Sequence, residues 1–313
     1  MEVRSACPFC RAVFRRAMPR CPIDGSELRP LPGDPLLGAE LAGLYRVYAV
    51  LADGSTARVY RAVRREDQAE CAVKVLLGDY ASLERHRARF AREIEVALDL
   101  VHPNLIGAID AGATEGGVPF LIMPLVRGPL LATVIQRDAP LGRERAARIA
   151  RDLAGGLAHL HRVGYVHRDV RPENVILEQQ QEDENARLFD FGIAARLPGN
   201  APGEPRLTRP NKLLGKPQYA APEVHLEARV DGRADLFSLG VLLYQMLSGT
   251  LPFDGAPLAV ASSNSYADPP AIAERVPGLH PDPALEELAH DLMRADPGRR
   301  LGAEAVVQLL SHA

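Results

Sequence analysis

His167-Arg168-Asp169-Val170-Arg171-Pro172-Glu173-Asn174 is followed, after one short hairpin's worth of residues, by Asp190-Phe191-Gly192. No other part of the chain restricts its fold and chemistry so sharply. Around these stretches lie 313 residues, 47% of them hydrophobic, enough for a globular domain with a sizeable core and a small appendage. The net charge of -3 gives no electrostatic reason to expect nucleic acid or an acidic membrane surface as a partner. Lysine occurs only at Lys74, Lys212 and Lys216, the rest of the 37 basic residues being arginine. A retained lysine therefore marks a position where a guanidinium is a poor substitute. No apolar run approaches the ~20 residues that a membrane-spanning helix requires; the longest candidate, 236–247, is interrupted by Ser238, Gly240 and Gln245. The N-terminus, with Cys7, Arg11, Arg15 and Arg16, carries no secretory h-region. A cytoplasmic protein without membrane association is expected, its four cysteines serving as thiols or metal ligands.

The quoted stretches resemble the catalytic loop and the metal-binding motif of protein kinases. The resemblance implies that Asp169 orients a substrate hydroxyl and accepts its proton. It also implies that Asn174 and Asp190 bind magnesium, or manganese, against the triphosphate of ATP, and that Arg168 contacts a phosphorylated activation segment. Arg171 stands where serine/threonine kinases usually have a lysine touching the transferring phosphate; arginine keeps the charge but not the shape. Upstream, 45–60 and 70–77 alternate as strands do, with a turn at Asp53-Gly54-Ser55. The stretch 51–60 aligns with the kinase glycine-rich loop, keeping the central Gly54 and carrying Ala52 and Ala57 in the outer glycine positions. Cys71-Ala72-Val73-Lys74 resembles the strand whose lysine grips the α- and β-phosphates, a point contact that suits a compact ammonium.

Helical spacing over 83–100 puts Phe90, Ile94, Ala97 and Leu98 on one side. Glu93 on this helix matches the glutamate that pairs with the strand lysine, the bland alternative being a surface glutamate. Phe120-Leu121-Ile122-Met123 leads into Pro124-Leu125-Val126, which resembles the hinge under the adenine ring. Met123 would be the gatekeeper, the Pro124 carbonyl and the Val126 amide would read the adenine edge, and Val59, Ala72 and Ile176 would sandwich the ring. These apolar residues are equally compatible with plain core.

Downstream, 143–163 is strongly helical and 179–185 reads as a solvated hairpin tip. The stretch 193–223 resembles an activation segment ending in Ala221-Pro222-Glu223. Its hydroxyl side chains are Thr208, placed for a regulatory phosphate paired with Arg168, and Tyr219, which matches a tyrosine packed in the segment's anchor. Lys216 replaces the threonine that the family uses to connect the catalytic aspartate to the substrate. Asp235-Leu236-Phe237-Ser238-Leu239-Gly240 resembles the central helix whose aspartate holds the catalytic-loop backbone, and Arg300 the buried partner of Glu223.

Near the N-terminus, Cys7-Pro8-Phe9-Cys10 has the spacing of a metal knuckle. A second half, Cys21-Pro22-Ile23-Asp24-Gly25, carries Asp24 where a fourth cysteine is expected. The pair resembles the short zinc ribbons ahead of some bacterial kinase domains and implies Zn2+ on Cys7, Cys10, Cys21 and Asp24; the alternative is a degenerate ribbon without metal. The expected organisation is a zinc-ribbon-like segment over 1–30, a linker over 31–43 and a kinase domain over 44–313, its small lobe 44–126 and its large lobe 127–313. The fold class is α+β: a small antiparallel β lobe with one main helix and a larger, mainly helical lobe. The expected function is that of a bacterial eukaryotic-like serine/threonine protein kinase, acting on protein substrates and on itself, with the ribbon available to recruit a partner. A second reading, an ATP-binding or scaffolding pseudokinase, is motivated by Ala52, Ala57, Arg171 and Lys216 together. A small-molecule phosphotransferase would share Asp169 and Asn174 but would not need Ala221-Pro222-Glu223 or the Asp235 helix.

Overall fold

In a computed structural model of the chain, the structure describes residues 4–7, 13–14, 19–31, 34–54, 56–180, 183–197, 216–225 and 230–311. The chain divides into two compact units, Met1–Asp99 with Gly107–Leu125, and Leu100–Ile106 with Val126–Ala313.

The first unit opens with β1 (Arg4–Ala6), β2 (Val13–Phe14) and β3 (Arg29–Leu31), antiparallel in the order β2-β1-β3. There follow β4 (Glu40–Leu41), β5 (Tyr45–Asp53), β6 (Ala57–Arg64), β7 (Glu70–Leu76), the helices α1 (Gly78–Ala81) and α2 (Glu84–Leu98), then β8 (Asp110–Ala113) and β9 (Pro119–Pro124). The strands from β4 to β9 form one antiparallel sheet in the order β4-β5-β6-β7-β9-β8. Side chains alternate across a strand, so β7 sends Cys71, Val73 and Val75 into a core with Tyr45, Tyr60, Phe120 and Ile122, while Ala72 and Lys74 face the other way. Burial pushes the Cys71 thiol up to about 11, leaving an unreactive core thiol.

Two expectations change here. On α2 the buried residues are Phe90, Glu93, Val96 and Ala97, whereas Leu98 is 46% exposed. Phe90 and Ala97 are buried as expected, but the face turns toward Glu93 and Val96 and away from Leu98, because its centre is an acid, Glu93, held there by Lys74. The stretch 31–43 is also no plain linker: Leu37 and Leu41 are only 2% and 3% exposed and belong to the core. Asp34 accepts from Arg58 Nη1 at 2.7 Å and from the Tyr60 hydroxyl at 2.8 Å, and its other oxygen accepts from the Leu36 amide at 3.0 Å. Burial, reinforced by the Asp34 bond, pushes the Tyr60 phenol up and keeps it a donor. Two leucines four residues apart among prolines and glycines offer no period to detect.

The second unit contains α3 (Leu131–Asp138), α4 (Arg143–Arg162), β10 (Tyr165–Val166), β11 (Val175–Gln180), β12 (Asp183–Leu188), β13 (Ala195–Arg196), α5 (Pro222–His225), α6 (Arg233–Ser248), α7 (Pro257–Tyr266), α8 (Ile272–Arg275), α9 (Pro283–Leu292) and α10 (Ala303–Ser311). Within α6 every residue from Ala234 to Ser248 except Gln245 is buried, as an all-round apolar sequence requires. It packs against α4 and α9; a Cβ on Gly240 would lie 2.8 Å from Leu292 Cβ and 2.9 Å from the Ala289 carbonyl, so only glycine permits this approach of α6 to α9. Residues 100–106, expected in the small lobe, belong here: Leu188 N donates to the Asn104 carbonyl and Ile106 N to the Leu188 carbonyl, both at 2.9 Å. The expected solvated tip 179–185 is largely strand, and Glu184 is held by a two-point pair with Arg145 at 2.6 and 3.0 Å. Among the described residues no helix is long and apolar enough to cross a membrane.

Candidate active site

In the first unit, cross-strand register collects the expected nucleotide-facing residues on one side of the sheet. Ala52 lies opposite Val59, Val59 opposite Lys74, and Ala72 opposite Met123. Directly opposed residues of antiparallel strands share a face. Lys74 Nζ pairs with Glu93 Oε1, both side chains largely buried, which also fixes α2 on this face. At the hairpin before β6, Gly54 N donates to the Ala57 carbonyl at 2.9 Å, and a Cβ on Gly54 would fall 2.8 Å from that oxygen. Pro124 stands opposite Cys71 at the end of β9. Val126 and Ile176 belong to the second unit, where Ile176 lies opposite Arg187 and bridges to Leu130.

In the second unit, two strand pairs bring the opening motifs side by side. β10 runs into His167 and pairs with β13, which follows Gly192; β11 leaves Asn174 and pairs with β12, which leads to Asp190. Phe189 N closes the gap by donating to the Asn174 carbonyl at 3.0 Å. Asp235, fully buried in the first turn of α6, accepts from the amides of His167 and Arg168, each at 2.8 Å, and bonds His161 Nε2 at 2.8 Å. Burial alone would push its carboxyl up, but His161 and the neighbouring His167 hold it below the usual carboxylate range. Arg168 and Asp190 adopt φ of 66° and 69°, a left-handed conformation rare for residues with side chains. Such strain persists only where the surroundings impose it, and both residues lie in the quoted stretches.

Asp169 sits at the centre. Its Oδ2 accepts from Asn174 Nδ2 at 2.9 Å and from Arg171 Nε at 3.1 Å, while Asn174 Nδ2 also donates to the Asp169 carbonyl at 2.8 Å. With its nitrogen committed to Asp169, the Asn174 amide has Oδ1 left to offer a cation. Arg171 Nη1 lies 3.4 Å from Glu173 Oε2, and Glu173 Oε1 receives Lys216 Nζ.

The turn carrying Lys216 is anchored from below. Ser238 Oγ donates to the Tyr219 carbonyl at 2.7 Å, the Tyr219 hydroxyl bonds Gln245 Oε1 at 2.7 Å, and Asn264 Nδ2 donates to the Pro217 and Ala220 carbonyls at 3.1 Å. Glu223 and Arg300 form a buried two-point pair at 2.6 and 2.9 Å. Thr208 lies outside the described residues.

At the N-terminus, one ligand atom each from Cys7, Cys21 and Asp24 lie within 4.8 Å of one another, the thiols buried and the carboxylate exposed. Cys7 Sγ donates to Asp24 Oδ2 at 3.1 Å, and Ile23 N donates to Cys21 Sγ at 3.4 Å. Two sulfurs and an oxygen in this arrangement fit zinc. Cys10 lies outside the described residues.

Sequence reasoning missed His161, Glu173, Asn264 and Asp34. Glu173 stands inside the quoted motif, where its acidic side chain between Arg171 and Asn174 was itself the signal. The other three act across long sequence separations and leave no local pattern.

The protein kinase domain family matches residues 45–310. The serine/threonine-protein kinase pkn3 of Myxococcus xanthus is 34% identical over 269 residues, 85% of this chain and 49% of that protein. PknJ of Mycobacterium tuberculosis is 36% identical over 267 residues, 84% of this chain and 44% of its own length. PrkC of Bacillus subtilis is 31% identical over 245 residues, covering 78% and 36% respectively. The chain thus spans about half the length, or less, of these relatives.

Proposed function

Because this chain belongs to the protein kinase domain family, we propose that it is a serine/threonine protein kinase that moves the γ-phosphate of ATP to a protein hydroxyl. The observation that carries the proposal is the arrangement around Asp169: one carboxylate oxygen held by Asn174 and Arg171, on a loop whose leading amides are fixed by buried Asp235. A carboxylate so oriented accepts the proton of a serine or threonine hydroxyl as the hydroxyl oxygen bonds to the γ-phosphorus and the bond from that phosphorus to the bridging oxygen breaks, ADP leaving with that oxygen. Lys74, kept in place by Glu93, is the proposed phosphate contact, and the face bearing Ala52, Val59, Ala72 and Met123 the proposed base-binding face; the roles of the Pro124 carbonyl, the Val126 amide and Ile176 rest on the family resemblance alone. Family members use ATP and a divalent metal ion. Asn174 Oδ1 and the Asp190 carboxylate are hard oxygen donors that suit magnesium or manganese. Bound there, the ion neutralises charge on the transferring phosphates. Substrates are proteins of the cytoplasm and the chain itself, with phosphate on Thr208 meeting Arg168 as the regulatory event.

Incubating the purified chain with labelled Mg-ATP and a generic protein substrate, beside Lys74→Met, tests this. Label should reach the substrate with the unmodified chain and fall to background with the variant. Equal background in both would overturn the proposal and leave an ATP-binding or scaffolding module.

Zinc on Cys7, Cys10, Cys21 and Asp24 is part of the same proposal, with the ribbon serving to recruit a protein partner. Thiolate ligation supplies the folding energy that so small a segment lacks. Elemental analysis should find one zinc per chain, lost in Cys7→Ser; an absence of stoichiometric zinc in protein purified without chelator would overturn this part.

A further inference from the structure

Arg171 and Lys216, the two departures from the family pattern nearest the candidate catalytic aspartate, are joined by one side chain. Lys216 pairs with Glu173 Oε1, Glu173 Oε2 lies 3.4 Å from Arg171 Nη1, and Arg171 Nε donates to Asp169 Oδ2 at 3.1 Å. Four charges of alternating sign run from the turn before Tyr219 to the carboxylate. Side-chain exposure falls along the row, from 48% at Lys216 and 36% at Glu173 to 22% at Arg171 and 15% at Asp169.

The geometry matters because of what an arginine can do beside a carboxylate. A guanidinium has a planar fork that grips both oxygens of a carboxylate at once, which a lysine cannot do. Here the grip is single: among the described residues, the hydrogen bonds to the Asp169 carboxylate fall on Oδ2, from Arg171 and Asn174. Glu173 Oε2 faces Arg171 Nη1 as an ion pair at 3.4 Å without a hydrogen bond, so the restraint on the guanidinium is electrostatic, while Lys216 pairs with the other Glu173 oxygen.

We propose that Lys216 is a positioning residue which, through Glu173, keeps the Arg171 fork off Oδ1 of Asp169 and so leaves that oxygen open to the substrate hydroxyl. The two departures are then one coupled device: the arginine at 171 creates the need that the lysine at 216 meets. This rests on the kinase reading above.

The test is a set of steady-state measurements on Lys216→Met, Glu173→Gln, Lys216→Arg and the double variant Lys216→Met/Glu173→Gln, with the first repeated in an Arg171→Lys background. Lys216→Met and Glu173→Gln should each lower kcat on the order of ten-fold, as misplacement by a fraction of an ångström does, with KM for ATP and for the protein substrate within about two-fold. The double variant should be no worse than the poorer single one, and Lys216→Arg should keep more of kcat than Lys216→Met without reaching the unmodified value, since it retains the charge that pairs with Glu173 but not the compact ammonium. In the Arg171→Lys background, Lys216→Met should cost nothing further, because a lysine has no fork to restrain. Thermal midpoints should not move, since a half-exposed pair contributes little to stability. An active unmodified chain whose kcat is untouched by Lys216→Met would sink this role alone. A change confined to KM for the protein substrate would overturn it in favour of substrate contact. A loss that persists in the Arg171→Lys background would overturn the coupling, and no transfer by the unmodified chain would remove the kinase reading and this proposal with it.

Discussion

Asp169→Asn is expected to lower phosphotransfer by about 10²–10⁴-fold, the range associated with a positioned general base, without loss of folded protein. The substitution is nearly isosteric. The amide oxygen of an asparagine can still accept from Asn174 Nδ2 and Arg171 Nε, now at 2.9 and 3.1 Å, and the backbone bond from Asn174 Nδ2 to the carbonyl of residue 169 does not involve the side chain. The loop amides stay tied to Asp235. What disappears is the charge that takes the proton. Steady-state rates beside nucleotide affinity decide the matter: unchanged ATP binding with a collapsed kcat is the expected pair of results. A variant that retains more than about a tenth of the rate would show that proton acceptance at 169 contributes less than the lower bound for such a group.

Arg300→Met should destabilise the second unit by about 3–5 kcal/mol, the cost of stranding a buried charge. Arg300 has every donor satisfied: Nη1 and Nη2 grip Glu223 at 2.6 and 2.9 Å and also reach the Arg233 and Ala295 carbonyls, each at 3.0 Å, while Nε donates to the Arg294 carbonyl at 2.6 Å. Its guanidinium lies 5.0 Å from the centre of the Phe237 ring. Methionine fills some of the volume but leaves the Glu223 carboxylate and three carbonyls without their partner. For a unit of this size the loss corresponds to a fall in Tm on the order of 10 °C. Arg300→Met/Glu223→Leu should recover part of it by removing the stranded charge, though not the share lost at the carbonyls. Urea titration measures both; a loss below about 1 kcal/mol would class the pair with surface ion pairs.

The family, the α+β class and the kinase-domain architecture were legible because their signals are local. His167 to Asn174 and Asp190 to Gly192 are contiguous stretches, and Lys74 stands out in a chain that otherwise prefers arginine. Glu93 pairs with Lys74 as expected from the motif, while of the expected helix face only Phe90 and Ala97 are buried, since an apolar count scores a buried, paired acid as surface. Leu37 and Leu41 were hidden for a different reason: Leu37 sits in a turn and β4, which carries Leu41, has too few residues to show alternation. His161 and Asn264 hold the loop and the segment anchor through bonds that span 74 and 47 residues, so only folding brings them to their partners. Arg171 and Lys216 were noticed as departures one at a time. Their link through Glu173 is a tertiary fact, and no spacing rule joins positions 171 and 216.

The stretch anchored by Asp34 bears on where this domain can be cut. The family match starts at residue 45, but β4 at 40–41 covers the outer side of β5. A fragment beginning at 45 would strip the pairing from the start of β5, Tyr45 to Val47, and lengthen the edge whose amides and carbonyls another chain could use to extend the sheet. It would also lose Leu37 and Leu41 from the core and the carboxylate shared by Arg58 and Tyr60. Self-association is the expected fate of such a fragment, and a piece that keeps β4 and the Asp34 bonds begins before Asp34.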